Sequence, residues 1–178
     1  MSTSITTSLD PEAVKRFNEL VKDIRFAMLT TQQPDGSLRS RPMATLTAPF
    51  DGDLWFFTDD DSPKVDEINQ EHHVCLSYAE PAHQKYVSVS GLASLVHDKA
   101  RAKELWTPAA KAWFPRGTDD PHLGLLRVRV RSVEYWDSPS SKMVQLFGFL
   151  KATATGKRLE NAGEHRKIEV TPKAEDMR

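Results

Sequence analysis

Several features that often assign a protein to a class are missing from this chain of 178 residues. Its single cysteine, Cys75, cannot form an internal disulfide, which fits a reducing compartment. No apolar run approaches the roughly 18 residues that a transmembrane helix needs, and residues 1–7 carry no signal-peptide pattern. We therefore expect a cytoplasmic protein that is neither secreted nor embedded in a membrane.

An excess of one charge sign is missing as well. The 24 Lys and Arg residues nearly balance 25 Asp and Glu residues, for a formal charge of -1. This balance predicts no general attraction to nucleic acid or to an anionic membrane surface. The sequence also contains no Gly-x-Gly-x-x-Gly and no Gly-Lys-Ser/Thr, so the two commonest phosphate-binding loops are excluded at the level of motifs. Any anion must be bound by a local cluster of side chains.

The patterns that are present predict short strands with helices inserted among them. Asp10-Pro11 opens a helix over residues 11–22, Ser62-Pro63 opens a second in which Val65 and Ile68 face inward, and Asp98 caps a third. A turn at Pro34-Asp35-Gly36 joins the first two strands into a hairpin. The first strand runs from residue 24 to that turn, and the others cover residues 39–48, 54–58, 74–78, 86–96, 123–136 and 144–153.

This order of elements predicts the fold class. Strands joined by short turns, without strict alternation with helices, indicate a mainly β protein with inserted helices (α+β) and a small antiparallel barrel, and they disfavour a doubly wound parallel sheet. Residues 1–156 are predicted to form one domain. Residues 157–178 are charged and almost without large apolar side chains, so we expect a mobile C-terminal tail there.

A candidate anion site is formed by residues from two strands, predicted to be adjacent, and a helix start. Arg39 and Arg41 lie two residues apart in a predicted strand, so both guanidinium groups lie on one face. The helix start offers the Ser62 hydroxyl, backbone amides and the Lys64 ammonium group. With the aromatic ring and hydroxyl of Phe57 and Thr58, this set suits a phosphorylated, flat-ringed cofactor.

Three carboxylates in the same loop oppose this interpretation. Asp59, Asp60 and Asp61 would repel a phosphate if they pointed into the site. We expect them to face solvent or to pair with the arginines. The competing interpretation is that Arg39 and Arg41 are solvated charges on a strand edge.

The order and spacing of several short motifs resemble the FMN-binding split barrels related to pyridoxamine phosphate oxidase. The resemblance runs over residues 24–136, and Trp113-Phe114-Pro115-x-Gly117 is similar to the general stress protein branch of that superfamily. The other motifs are Arg41-Pro42-Met43, Phe56-Phe57-Thr58, Ser62-x-Lys64, Tyr86-Val87-Ser88-Val89-Ser90-Gly91 and Glu134-Tyr135-Trp136.

The resemblance implies a homodimer of split β-barrels that holds FMN at the subunit interface. It assigns the FMN phosphate to Arg41 and Lys64, helped by Thr58 and Ser62. It places the backbone of Pro42, Met43 and Ala44 along the isoalloxazine ring, Phe57 beside the ring, Tyr86 on the partner chain, and Trp136 near the ring. We add Arg39 because it shares a strand face with Arg41, and Trp113 from its aromatic character. No metal site is expected.

One departure from the family pattern limits the function. Where pyridoxamine phosphate oxidases carry an Arg-x-His pair that binds substrate, this chain has Lys142, Met143 and Val144. Valine can neither donate a hydrogen bond to a substrate phosphate nor polarise a pyridine, so vitamin B6 oxidation is not expected. The resemblance instead implies an FMN-binding general stress protein acting as a flavin-dependent oxidoreductase on an unidentified small molecule. The same fold with FAD, deazaflavin or haem, and a non-catalytic flavin-binding or regulatory dimer, stay open as alternatives.

Overall fold

The computed structural model describes residues 10–137 and 164–170. Its three α-helices are separated by strands and by short 3-10 turns at Pro81–His83, Pro108–Ala112 and Gly117–Asp119. The helices and strands are α1 (Pro11–Val21), β1 (Phe26–Gln32), β2 (Leu38–Ala44), β3 (Asp53–Asp59), α2 (Pro63–Gln70), β4 (His73–Glu80), β5 (Lys85–Val96), α3 (Lys99–Leu105), β6 (Leu123–Asp137) and β7 (Glu164–Glu169).

The strands form one antiparallel sheet with the order β2-β1-β4-β5-β6-β3, and β7 also pairs with β6. Although β2 and β3 lie at the two ends of this order, their residues come into contact, so the sheet curls toward a half-barrel. The predicted antiparallel, mainly β fold with inserted helices is therefore confirmed. The prediction that β2 and β3 are adjacent strands is wrong, because β3 pairs with β6 and meets β2 only through the curl of the sheet.

Local sequence explains how α1 and the first hairpin form. The Asp10 side chain accepts a hydrogen bond from the Glu12 amide at 3.1 Å, which satisfies a donor at the start of α1. Gly36 takes a positive φ of 86° in the turn between β1 and β2, where glycine avoids the steric cost that a Cβ would bring. Alternation along β1 buries Ala27 and Leu29 and exposes Phe26 and Met28.

Two apolar clusters stabilise the fold. The main core lies on the inner face of the sheet, where α1 contributes Phe17 and Leu20. A smaller cluster lies between α3 and the strand pair β3–β6, and it contains Leu105 and Leu125 with Phe57 packed against them. No helix among residues 10–137 and 164–170 is long and apolar enough to cross a membrane.

The second strand is shorter than predicted. β2 ends at Ala44, whereas the sequence pattern extended it to residue 48. The Thr45 amide donates to the Arg25 carbonyl at 2.9 Å, and the chain then leaves the sheet. Leu46 and Ala48 pack against the smaller apolar cluster, which explains their strand-like apolar spacing without a strand.

A seventh strand, β7, lies within the segment 157–178 that was predicted to be a mobile tail. β7 pairs with β6 from Ser132 to Asp137, beyond the point at which β3 stops pairing at Arg129. The long β6 therefore provides an edge for this late strand, which local composition does not reveal. The strand predicted at residues 144–153 lies outside the described residues, as do Lys142, Met143 and Val144.

Candidate functional site

Arg41 is held between β1 and α2. It lies on the inner face of β2, opposite Leu29 in the strand register. Its Nη1 donates to the Thr31 hydroxyl at 2.7 Å, and its Nη2 donates to Glu67 Oε2 at 2.6 Å. The Thr31 hydroxyl in turn donates to the same Glu67 oxygen. Three elements thus fix one guanidinium group.

Glu67 is the buried counter-ion of this arrangement, with only 5% of its surface exposed. Burial by itself raises the pKa of Glu67, but hydrogen bonds from Thr31 and Arg41 and the positive charge of Arg41 outweigh burial and lower it overall. The exposed Arg39 lowers this pKa further through its charge. The carboxylate is therefore ionised at neutral pH and balances one positive charge.

Lys64 brings a second cation to the same place. Its Nζ donates to the Ser62 hydroxyl at 2.8 Å, in the first turn of α2. Burial lowers the pKa of Lys64, and the positive charge of Arg41 lowers it further, against smaller opposing effects of Asp59 and Glu67. Arg41 and Lys64 therefore lie near enough to repel each other, although they come from distant parts of the chain.

Two hydroxyl groups share one carbonyl at the edge of this cluster. Ser62 Oγ donates to the Asp59 carbonyl at 2.6 Å, and Thr58 Oγ1 donates to it at 3.2 Å. Ser62 directly precedes α2, as predicted, but its hydroxyl does not accept a hydrogen bond from a helix amide and so does not cap the helix. The turn from Asp59 to Ser62 points that hydroxyl back into the loop instead.

The three aspartates of this loop do not pair with the arginines. Asp60 Oδ2 lies 3.2 Å from His97 Nε2, and Asp60 Oδ1 lies 3.7 Å from His122 Nδ1. Asp59 Oδ1 accepts from the Asp61 amide at 3.0 Å, and both of those residues are exposed. Ligand atoms of Asp59, Asp60 and His122 lie within 4.8 Å of one another, a cluster that the sequence analysis did not single out.

The remaining residues assigned to the FMN ring occupy different environments. Met43 is buried against the core, whereas Pro42 and Ala44 are exposed on the other face of β2. Phe57 packs between Trp106 and Phe114, with ring centroids 5.5 and 6.4 Å away. The structure thus brings together Arg41, Lys64, Ser62 and Thr58, with Arg39 on the Arg41 face of β2.

Three predicted ligand residues lie apart from that group. Tyr86 and Trp136 face each other across β5 and β6, on the sheet face opposite Arg41. Trp113 follows the second 3-10 turn and is 69% exposed. Tyr86 and Trp136 therefore lie across the sheet from Arg41 of the same chain, which agrees with the expectation that the partner chain supplies Tyr86.

Several large apolar side chains on that opposite sheet face are exposed to solvent. We call it the outer face and define it by five side chains with exposed fractions of 40 to 72%: Phe26, Met28, Leu38, Tyr86 and Trp136. They belong to β1, β2, β5 and β6, and the pairing register places all of them on the same side of the sheet.

Sequence reasoning missed two residues of the site, Thr31 and Glu67. A weak signal for Glu67 exists, because it lies between the inward-facing Val65 and Ile68 and one helical turn after Lys64. Nothing in the sequence indicates that Thr31 contacts it across 36 positions.

Comparison with known proteins now identifies the family. A family model described as pyridoxamine 5'-phosphate oxidase like matches residues 12–160. The chain belongs to this family. Membership confirms the resemblance that the motifs indicated and agrees with the curled antiparallel sheet.

Two similar solved structures are named as general stress proteins, which agrees with the branch of the family that the motifs indicated. Protein bli-3 of Neurospora crassa is 31% identical over 143 residues, which cover 75% of this chain and 68% of that protein. The general stress FMN/FAD binding protein of Xanthomonas citri is 30% identical to this chain. The match covers 74% of this chain and 93% of that protein, with a TM-score of 0.64. A general stress family protein of Xanthomonas campestris pv. campestris is 32% identical, with coverages of 75% and 92% and a TM-score of 0.63.

Proposed function

We propose that the chain binds FMN, with the phosphate held by Arg41 and Lys64 and assisted by Thr58, Ser62 and Arg39, and that it works as a flavin-dependent oxidoreductase. The observation that supports this proposal most strongly is the proximity of Arg41 and Lys64. Each is only partly exposed, and the charge of Arg41 lowers the pKa of Lys64. An anion between them would relieve that repulsion.

The charges within the cluster favour a phosphate over a weaker anion. Glu67 neutralises one cation, which leaves Lys64 and the exposed Arg39 as additional positive charges beside Arg41. A phosphate monoester carries nearly two negative charges at neutral pH, and hydrogen bonds between charged donors and phosphate oxygens are short and strong. The hydroxyls of Thr58 and Ser62 add neutral donors at the rim.

The neighbouring surfaces suit the ring of the cofactor. β2 pairs with β1 on one side, and among the described residues no strand pairs with its other side, so Pro42, Met43 and Ala44 present backbone along a free edge. The resemblance places Phe57 beside the ring, and in the structure this side chain packs against Trp106 and Phe114. A bound flavin supplies hydride or electron transfer, while the protein orients the ring and admits the substrate. The name of the Xanthomonas citri relative supports a flavin ligand.

We also propose that two copies pair through the outer face. Exposed apolar side chains gathered on one side of a sheet are typical of interfaces, and these include the aromatic rings of Tyr86 and Trp136. In such a dimer, Tyr86 and Trp136 would lie in the interface, where the resemblance places the flavin.

The ligand test is a visible absorption spectrum of the purified protein and mass spectrometry of any ligand that co-purifies. We expect a flavin spectrum and the mass of FMN. After removal of the flavin, FMN should bind more tightly than riboflavin, which lacks the phosphate, and should raise the melting temperature. FAD, a deazaflavin or haem would be recognised by mass, and a colourless protein whose melting temperature FMN leaves unchanged would contradict the proposal.

The catalytic part of the proposal is tested by anaerobic addition of NADH or NADPH. Reduction of the bound flavin is expected for an oxidoreductase. A flavin that stays oxidised with both donors would contradict this part and indicate a carrier or a regulatory dimer. Pyridoxine phosphate oxidation should be absent because Lys142, Met143 and Val144 replace the substrate-binding pair.

The dimer is tested by Met28→Glu, which places a charge in the outer face. We expect its dimer dissociation constant, measured by light scattering over a concentration series, to rise at least about tenfold. Ser94→Glu is the matched control, because Ser94 is an exposed residue opposite Arg127, eight residues along β5 from Tyr86, and is not one of the five side chains that define the outer face. Identical dimer stability in both variants would rule out the outer face as the interface.

A further inference from the structure

The buried carboxylate of Glu67 forms a closed triangle with Thr31 and Arg41. One oxygen, Oε2, accepts from the Thr31 hydroxyl and from Arg41 Nη2, and the same hydroxyl accepts from Arg41 Nη1. Thr31 is 1% exposed and Glu67 is 5% exposed, so water does not compete strongly for these contacts.

This triangle uses only part of the arginine. A guanidinium group has five N–H donors in one plane, and the triangle engages one hydrogen on each of the two terminal nitrogens. Because two nitrogens of a rigid plane are held, the plane cannot rotate, and the directions of the other three donors are set. Within residues 10–137 and 164–170, Thr31 and Glu67 are the hydrogen-bond partners of the Arg41 guanidinium group, so there it is an oriented donor with three N–H groups left for a ligand.

The location of Glu67 on α2 adds a second constraint. Glu67 lies three residues after Lys64, so the helix that supplies the second cation also anchors the first. The relative placement of Arg41 and Lys64 is thereby determined by one rigid element. Without that link, two mutually repelling cations would move apart.

We propose that Glu67, together with Thr31, is a positioning residue that orients Arg41 toward a phosphate group beside Lys64. This inference rests on the proposed function and deepens it: the phosphate is gripped by an arginine aligned before the ligand arrives. Such preorganisation strengthens binding because the side chain is already ordered in the free protein. Glu67 itself does not touch the ligand.

The experiment measures FMN and riboflavin affinities of the flavin-free dimer in four variants: Glu67→Ala, Glu67→Gln, Arg41→Ala and the Arg41→Ala/Glu67→Ala double variant. We expect Glu67→Ala to weaken FMN at least about tenfold and to leave riboflavin unchanged, because riboflavin lacks the phosphate. Glu67→Gln should recover most of that loss, since the amide oxygen still accepts from Thr31 and Arg41. In the Arg41→Ala background, Glu67→Ala should have no further effect on FMN.

Several outcomes would overturn the inference while leaving the proposed function intact. These are unchanged or tighter FMN binding in Glu67→Ala, equal losses for FMN and riboflavin, no recovery in Glu67→Gln, or additive effects in the double variant. If the wild-type protein binds no flavin at all, the proposed function fails and the inference fails with it.

A second variant keeps the inference testable if Glu67→Ala does not fold. Thr31→Val replaces the hydroxyl that bridges Arg41 and Glu67 with a methyl group. We expect a roughly threefold weakening of FMN with riboflavin unchanged. Equal affinity of Thr31→Val and wild type for FMN would overturn the inference.

Discussion

Two arginine–carboxylate pairs in this molecule have the same length and different surroundings. Arg41 Nη2 lies 2.6 Å from Glu67, and Arg127 Nη2 lies 2.6 Å from Asp53. In the second pair, Arg127 Nε also donates to the same Asp53 oxygen at 2.7 Å. The guanidinium carbon of Arg127 lies 5.8 Å from the centre of the Trp55 ring. The distance between partners therefore does not distinguish them.

What distinguishes the pairs is the elements that carry them and the second cation beside each. Arg127 and Arg129 lie two residues apart on β6, both approach Asp53 on the neighbouring strand β3, and the ring of Trp55 lies beside Arg127. Arg41 and Glu67 join a strand to a helix, and that helix also carries Lys64, whose pKa is lowered by burial and by the charge of Arg41. A desolvated cation that repels its neighbour supports the proposed anion site, whereas a salt bridge alone indicates structure.

The largest expected contrast is in FMN affinity. Arg41→Ala should weaken FMN by about 1.5 to 3 kcal/mol, the range for charge-assisted hydrogen bonds, which is about 10- to 150-fold. Arg127→Ala should leave FMN affinity within about twofold and cost about 1 kcal/mol of folding stability. Fluorescence titration of flavin gives the affinities, and urea unfolding gives the stabilities. Equal losses of FMN affinity in the two variants would show that the Arg41 pair has no special role in binding FMN.

Lys64 should produce the next largest effect and a pH dependence. Lys64→Met should weaken FMN by about 1.5 kcal/mol, the lower end of the same range, since the lysine is a single point charge. Because the pKa of Lys64 is lowered, the free protein loses this charge at a lower pH than exposed lysines do. FMN affinity of the wild type should therefore fall as pH rises through the alkaline range.

The control for that pH dependence is Lys64→Met itself, measured over the same range. Its affinity should be weaker throughout and should change less with alkaline pH. Lys103→Met removes an exposed lysine of α3 and should reproduce the wild-type profile. A profile of Lys64→Met as steep as the wild type would assign the titration to another group.

Glu67 should give a smaller effect, seen in stability at acid pH. Its pKa is lowered in the folded protein, so the stabilisation it provides is complete above its pKa in the unfolded chain and disappears as pH falls through the folded value. Glu67→Gln lacks this titration. Its urea midpoint should therefore decrease less than that of the wild type on acidification below about pH 4.5. Equal decreases of the urea midpoint in Glu67→Gln and wild type would show that Glu67 does not cause the loss of stability at acid pH.

Much of this fold was predictable because its signals are local. The capping Asp10, the turn glycine Gly36 and the alternation along β1 and β6 each act within a few residues. Helix α1 accordingly ends within one residue of its predicted end. The strand β7 could not be predicted in the same way, because its partner β6 lies about 30 positions earlier and provides the edge it needs.

The candidate site shows the same difference between local signals and contacts of residues far apart in the sequence. Arg41, Ser62 and Lys64 were identified from spacing within a strand and at a helix start. Thr31 and Glu67 were missed because their contacts with Arg41 depend on how β1, β2 and α2 meet in space. Spacing alone also misleads, since Arg127 and Arg129 repeat the two-residue interval of Arg39 and Arg41 yet both approach Asp53.

The smallest expected effect concerns Arg101, whose guanidinium carbon lies 5.2 Å from the centre of the Trp55 ring. Arg101→Met should cost about 0.5 to 1 kcal/mol of stability, the range for a cation–π contact near the surface, and should leave FMN affinity unchanged. Arg101 also pairs with Glu104 at 2.7 Å, so Glu104→Gln is the control for that exposed ion pair. If Glu104→Gln costs as much as Arg101→Met, the ion pair accounts for the loss. If Glu104→Gln costs less than about 0.3 kcal/mol, the contact with the Trp55 ring accounts for the loss. Arg101 and Arg127 then stabilise the fold through one aromatic ring, whereas Arg41 keeps donors for the proposed ligand.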